Sequence, residues 1–474
     1  MKPKRAQLAL IALIVSLIMI SAPVFGAIRS NPDASGDFRP APNGYRHRPV
    51  VEFFTGLSCP SCMAGPHPDM EKLWEENGYD PQQDFTYVVF HELNGGGEDA
   101  LQTADSEERM RFYQPGVSGT PDAEFDGGYI ELGGMANNDG VDYASAKTAI
   151  ENCKSRTQTT INPLHPIQSL RNGFKFVKLD VSQMFTGISF SVVVKAQYLG
   201  TSALIETKAL NGLLYVFMVE DNITAYSKVE KTDVNNHNAF RGYAIKAKDF
   251  SLKNGESTEF AADWPIPTDA KVPINPANMM AIAVVYDKDD TTTENGNQGN
   301  RAGVPRALQS ATPASTAFDN GNDIPRASAI KFAGSGSKVK VTATLDDSAG
   351  IASGFVLYNT QAANATNWTV AKMNISGSEC EGDTCSVYKN ATGTVTLDTT
   401  MDKPLFIVIL LYDGNMTQGK IELMNITAGR IHIKTTILSI GGAGIVIVVV
   451  AVAAIGYYLW NKKKKAAQSV SESK

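Results

Sequence analysis

Cysteine and histidine are scarce in this chain, at five and six among 474 residues. The scarcity bears first on metals. A structural zinc site takes four ligands, usually from two close cysteine pairs. The only close pairs here are Cys59/Cys62 and Cys380/Cys385, some 320 residues apart in segments of different character. His67 and His91 beside Cys59 and Cys62 would suit a soft metal such as copper, yet the histidines are scattered and His67 reads more simply as a solvent-side residue in a first helix turn. No metal or other cofactor is expected. Positive charge is short as well. The formal net charge is −6; without the three basic residues near the N-terminus and the net +4 after residue 460, residues 27–460 carry −13. Phosphate recognition needs local positive charge, so nucleic acid is excluded as a partner.

The two ends read as addresses. Lys2, Lys4 and Arg5 precede an uncharged apolar run from Ala6 to Ile20, and small residues follow near Gly26. Residues 1–26 are expected to be a secretory signal peptide, with an uncleaved anchor as the alternative. Ile437–Trp460 is 24 residues without a charge, long enough to cross a hydrocarbon core as one transmembrane helix. Lys462 to Lys465 follow it, which places the tail 461–474 in the cytoplasm and the bulk of the chain outside the cell membrane. Neither span nor tail contains cysteine. Thiols cannot relay electrons inward through this chain, so any redox work needs a separate redox partner.

Between the ends, the chain is expected to form an α/β domain followed by two all-β sandwich-like domains. Residues 45–160 alternate strand and helix signals: V50-V51-E52-F53-F54, a helix from Pro68, F85 to F90, a polar helix near 99–113, a weak strand to Phe125 and a helix from Tyr143 to Cys153. Residues 165–290 carry apolar strands with no long amphipathic helix between them and read as an antiparallel sandwich. Residues 291–328 are polar and rich in Gly, Asn, Pro, Ser and Thr, the composition of a linker. A smaller, Ig-like β unit spans 329–430. Seven N-x-S/T sequons, at Asn222, Asn364, Asn367, Asn374, Asn390, Asn415 and Asn425, are candidate glycan acceptors or chance products of an Asn- and Thr-rich strand protein. D287-K288-D289-D290 with Glu294 and Asn295 is dense in oxygen ligands, but no complete calcium-loop spacing is present and a solvated acidic turn fits better.

The chemistry concentrates at C59-P60-S61-C62. A strand ending near Phe54, a short loop, and C-x-x-C at a helix start place the first sulfur where unpaired backbone N–H groups favour the thiolate. Cys59 would attack and Cys62 would resolve the mixed disulfide. G119-T120-P121 lies before a strand; a cis Thr120–Pro121 bond would let Thr120 present its backbone to a peptide beside the dithiol and would keep a metal ligand out. Glu52, mid-strand among apolar residues, is either a buried acid that accepts the Cys62 proton or an exposed strand-edge acid. Cys380 and Cys385 enclose four residues and are expected to form a structural disulfide. Cys153 is a packing thiol, an intermolecular bridge or a third redox partner.

V51-E52-F53-F54, C59-P60-S61-C62 and G119-T120-P121 before a strand resemble the thioredoxin superfamily. The resemblance implies the nucleophile's role for Cys59, the resolving role for Cys62 and a cis Pro121. It implies a buried-acid role for Glu52, with Glu in place of Asp and one extra residue before the first cysteine. V219-E220-D221-N222-I223 and H237-N238-A239-F240-R241-G242 are similar to segments of Omp28-like secreted proteins, which place a β domain after a thioredoxin-like one. These residues support two functions. One is that of a membrane-anchored, extracytoplasmic thiol-disulfide oxidoreductase acting on cysteines of secreted or surface proteins. The other is that of a surface binding or adhesion protein whose Cys59–Cys62 pair is a structural staple.

Overall fold

The computed structural model describes residues 41–431 except 43, 78–83, 93–98, 114–118, 135–139, 158–172, 203–208, 292–302, 336, 362–367, 378, 381–386, 401–403, 417 and 428–429. The expected signal peptide, the span 437–460 and the tail lie outside the described residues. Among those residues, no helix is long and apolar enough to cross a membrane.

β1 (Val50–Thr55) runs into α1 (Pro60–Met63) and α2 (Pro66–Asn77), and the chain returns in β2 (Thr86–His91), parallel to β1 with Val50 opposite Thr86 and Thr55 opposite His91. After α3 (Ala104–Phe112), β3 (Asp122–Phe125) lies antiparallel on the other side of β1, and β4 (Ile130–Gly133) pairs beyond it. α4 (Tyr143–Ser155) closes the unit. The helix starts have local causes. Thr103 accepts the Ser106 N–H at 3.0 Å ahead of α3, and Asp142 accepts those of Ala144 and Ser145 at 2.9 Å ahead of α4. β1 is apolar almost throughout because both of its faces are covered. Val51 and Phe53 pack with Leu73 and Trp74 of α2, whereas Val50 and Phe54 face a core with Tyr113, Phe217 and Tyr286.

That second core joins the α/β part to the β strands after it. β5 (Lys175–Phe185), β6 (Ser189–Thr201), β7 (Leu210–Glu220), the hairpin β8 (Ile223–Ser227) and β9 (Thr232–Asn236), β10 (Ala239–Leu252), β11 (Ser257–Pro265), β12 (Met279–Asp287) and β13 (Arg306–Ala311) come in that order. β11, β6 and β5 form one antiparallel sheet, while β13, β12, β7 and β10 continue into β2, β1, β3 and β4 as one eight-stranded sheet. The seam is narrow: Ala239 opposite Val89, with the Val89 N–H donated to the Asn238 carbonyl at 3.0 Å. The sheet therefore runs straight through the boundary expected at 160–165. The polar stretch 291–328 is also more than a linker, since it contains β13 and helix α5 (Pro313–Asp319). Its polar side chains are partnered inside the fold, where composition suggests solvent: Gln309 Oε1 accepts the Arg48 N–H at 2.7 Å, and Ser310 Oγ donates to the Arg48 carbonyl at 2.8 Å.

The third unit is built from two facing sheets, one including Lys338–Asp346 and Ala391–Leu397, the other Ile351–Asn359 and Leu405–Asp413. The unbroken apolar run from Leu405 to Tyr412 is buried on both sides. Ile409 and Leu411 face the unit's own core; Val408 and Leu410 face the neighbouring sandwich, where the Phe185 and Phe355 rings sit 5.1 Å apart. Cys385 lies outside the described residues, and with it the expected Cys380–Cys385 disulfide. Asn222, Asn374, Asn390 and Asn415 are exposed; Asn364, Asn367 and the Asn425 side chain lie outside the described residues.

Candidate functional site at the carboxyl end of β1

Cys59 and Cys62 form a disulfide with Cα atoms 5.3 Å apart. Cys59 caps α1, and its sulfur accepts the Cys62 backbone N–H at 3.1 Å. The Thr120–Pro121 peptide bond is cis. It brings the Thr120 hydroxyl to 3.3 Å from Cys62 Sγ and 3.5 Å from Cys59 Sγ, and Ser61 Oγ donates to the Thr120 carbonyl at 3.4 Å. The two cysteines, Thr120 and Pro121 thus meet in space. Both sulfurs are covered: Cys59 is 2% exposed and Cys62 0%, while Pro60 between them is open.

The loop before Cys59 is clamped. The Leu57 N–H is donated to Asp99 Oδ2 at 2.7 Å, and its carbonyl accepts Ser227 Oγ of β8 at 2.9 Å. Gly56 is tightly packed: a Cβ there would meet the Glu92 carbonyl at 3.0 Å. Asp99 also accepts the Leu101 N–H at 2.8 Å and lies 3.0 Å from His91 Nδ1. Burial pushes this carboxyl upward, but His91 and the two backbone N–H groups outweigh it and hold Asp99 at about 2. Beside His91 sits His67, its ring 6.3 Å away edge-on and lying over Phe53. His67 is buried, in place of the solvent-side position expected, because it follows the short helix α1 on the sheet-facing side of α2. Burial and the neighbouring His91 push it down to about 3. Neither His67 nitrogen, nor His91 Nε2, has a hydrogen-bond partner. Burial also pushes Glu92, next to His91, up to about 8.

Glu52 is fully buried, but away from this cluster. Strand alternation puts it on the Val50/Phe54 face, opposite to the face covered by α2. Its oxygens are engaged by Arg109 Nε at 2.5 Å and Nη2 at 2.7 Å, by the Tyr113 hydroxyl at 2.5 Å and by the Tyr286 hydroxyl at 2.6 Å. Arg109 Nη1 lacks a hydrogen-bond partner, and the guanidinium is boxed by the Phe112 and Tyr215 rings, 4.1 and 4.4 Å from its centre. Burial opposes its charge, yet Glu52 and the tyrosines hold Arg109 well above its ordinary value. Glu52 is thus the buried acid of the two alternatives expected, and its carboxylate is engaged by Arg109, Tyr113 and Tyr286 across the seam between β1, α3 and β12.

Other expected features resolve simply. Cys153 packs in the core under α2 and α4. In the acidic turn, Asp287 and Asp289 pair with Lys175 at 2.9 and 3.2 Å and Asp290 with Arg156 at 3.3 Å, so cations in the fold answer these carboxylates where solvent was expected; Glu294 and Asn295 lie outside the described residues. Among the described residues, no group of three or more His, Cys, Asp or Glu side chains could hold a metal ion. Sequence reasoning missed Asp99, Arg109, Ser227 and Tyr286 altogether. His91 carried a usable signal, since it continues the alternation of Tyr87 and Val89 at the end of β2; Asp99 carried none.

No protein-family model matches this chain, and no curated protein does. Solved structures give only faint likenesses. Red sea bream transglutaminase is 10% identical over 65% of this chain and 38% of its own length, with a TM-score of 0.19. The sporulation control protein Spo0M from Bacillus subtilis is 10% identical over 50% of this chain and 79% of its own, at 0.16. The β-glucosidase of Kluyveromyces marxianus is 16% identical over 29% and 14%, at 0.15. The chain spans well under half the length of the transglutaminase and of the glucosidase. Likenesses this weak carry no argument about fold or function.

Proposed function

We propose that this chain is an outward-facing thiol-disulfide oxidoreductase with a thioredoxin-like catalytic part, anchored by Ile437–Trp460 and acting on cysteines of secreted or surface proteins. Cys59 is the attacking sulfur and Cys62 the resolving one. The observation that carries the reading is the contact set around the pair: the Cys62 N–H on Cys59 Sγ, and the Thr120 hydroxyl beside both sulfurs next to a cis proline. An N–H aimed at Cys59 Sγ stabilises the thiolate once the bond is reduced. The parallel β1–α2–β2 unit with C-x-x-C at its first turn supports the same reading. The β units position the catalytic part and offer client contacts.

A second reading, a surface binding protein with Cys59–Cys62 as a staple, is favoured by the 2% exposure of Cys59. The equilibrium of the pair against glutathione in the full-length protein, with Cys62→Ser trapping in parallel, separates the two. A potential between about −120 and −270 mV with clients captured on Cys59 is the expected outcome. A value below about −300 mV with nothing captured sinks the oxidoreductase and leaves the staple.

A further inference from the structure

The loop that leads to Cys59 is held from two distant parts of the chain. Gly56 to Cys59 form a turn, closed by the Cys59 N–H on the Gly56 carbonyl at 3.1 Å. The middle peptide of such a turn, here Leu57–Ser58, has two orientations related by a rotation of about 180° that leaves the ends nearly in place. In this chain both backbone groups of Leu57 are taken. Its N–H is donated to Asp99 Oδ2 at 2.7 Å, and its carbonyl accepts the Ser227 hydroxyl at 2.9 Å. Ser227 is fully buried, and its Oγ also accepts the Glu230 N–H at 3.2 Å, so its one proton is committed to Leu57.

We propose that the hairpin β8–β9, which comes from the β strands after the α/β unit, is part of the dithiol site, with Ser227 the positioning residue that holds Cys59 against α1. The inference rests on the oxidoreductase reading. The hairpin meets the chain on both flanks of the pair. Ile223 and Ala225 share one small core with Leu57, two residues before Cys59, and with Met63, directly after Cys62. The base of the hairpin is tied as well: His237 Nδ1 lies 2.7 Å from Asp221 Oδ1 across its two ends, and the His237 N–H is donated to Glu71 Oε2 of α2 at 2.8 Å. Apolar packing holds Leu57 in place but does not choose between the two orientations of its peptide. The hydroxyl of Ser227 does, because it reaches the carbonyl in only one of them.

The hold matters most in the reduced protein. In the disulfide form the Cys59–Cys62 bond itself ties the loop to α1. Reduction removes that tie, and the grip on Leu57 then keeps Cys59 Sγ within reach of the Cys62 N–H, which stands 3.1 Å away and stabilises the attacking thiolate. Loss of the Ser227 hydroxyl therefore destabilises the dithiol more than the disulfide. In the exchange with glutathione disulfide, the Cys59 thiolate attacks one sulfur and expels one glutathione as thiolate. The Cys62 sulfur then bonds to Cys59 Sγ and the second glutathione leaves. Two electrons and two protons pass in all from the dithiol to the two glutathione thiols.

The test uses the full-length protein, unmodified and as Ser227→Ala and Ser227→Thr, and reads two quantities: the equilibrium of Cys59–Cys62 with glutathione, and the urea midpoint of the disulfide form. Expected for Ser227→Ala is an equilibrium moved about tenfold toward the disulfide, with Ser227→Thr, which keeps the hydroxyl, within about twofold of the unmodified chain. An equilibrium that stays put in Ser227→Ala, or moves toward the dithiol, overturns the proposal whatever happens to the urea midpoint. The contact is then merely structural, and the oxidoreductase stands. An equal shift in Ser227→Thr overturns it too, because the hydroxyl is then not what the loop uses. Failure of the unmodified pair to exchange with glutathione at all removes the oxidoreductase, and the role of Ser227 with it.

Discussion

β1 carries a polar cluster on each face, and the two are opposites. On the α3 face, four donors from Arg109, Tyr113 and Tyr286 surround the Glu52 carboxylate. On the α2 face, Asp99 is fully engaged, yet three imidazole nitrogens of His67 and His91 have no partner. A buried charge that is paired and hydrogen-bonded specifies one packing and is costly to break. A buried polar atom left unpaired weakens the fold. The first cluster therefore reads as a fastener between the α/β part and the β strands, while the second carries unpaired polar atoms next to the loop that leads to Cys59.

Cutting the seam gives the largest expected effect. Residues 45–160 alone lose Phe217, Tyr286 and the rest of the shared core that covers Val50 and Phe54. The fragment is expected to show no cooperative thermal unfolding by circular dichroism; a sharp transition would mean that the α3 face does not depend on the β strands. Next comes the fastener itself. Glu52→Gln or Arg109→Met leaves the other partner buried and unpaired and should cost about 3–5 kcal/mol in urea denaturation. The glutathione equilibrium of Cys59–Cys62 should stay where it was. A moved equilibrium with little lost stability would return Glu52 to the dithiol and undo the contrast.

The effect that is smallest at neutral pH sharpens the other cluster. His67 is held at about 3 in the fold against 6.5 for an unperturbed ring. Above pH 6.5 neither state of this ring is protonated and its contribution is whole. Between 6.5 and about 3 the unfolded chain binds a proton that the folded chain does not, so stability falls as pH falls, by about 1.4 kcal/mol per pH unit from this group. His67→Phe should flatten that limb in urea titrations at stepped pH, with stability at pH 7 equal or raised. An unchanged limb would mean that His67 is protonated inside the fold.

Legibility in the sequence tracked the range of the interaction. C59-P60-S61-C62 and G119-T120-P121 were readable because backbone chemistry makes them local: a cysteine capping a helix, a proline before a strand. Phe85 to Phe90 was readable as a strand from its run of aromatic and β-branched residues. Glu52 was readable only as an acid in an apolar strand. Its face, and its partner 57 residues along on α3, depend on which element covers which side of β1. The stretch 291–328 misled for the same reason. Arg306, Gln309 and Ser310 look like linker residues until the N-terminal segment at Arg46 and Arg48 supplies partners for Gln309 and Ser310, and the Gly127 carbonyl one for Arg306.

By itself the sequence determined the pair of sulfurs, their helix start, the proline beside them and the strand-rich character of residues 165–430, because each of these is written within a few consecutive residues. Only the tertiary structure decided that the α/β and β parts share one sheet, that Glu52 fastens that sheet, and that Asp99 joins His91 to the loop before Cys59. Those outcomes are set by the pairing of strands far apart in the chain and by which face of each strand is covered, and neither is encoded at any one place along it.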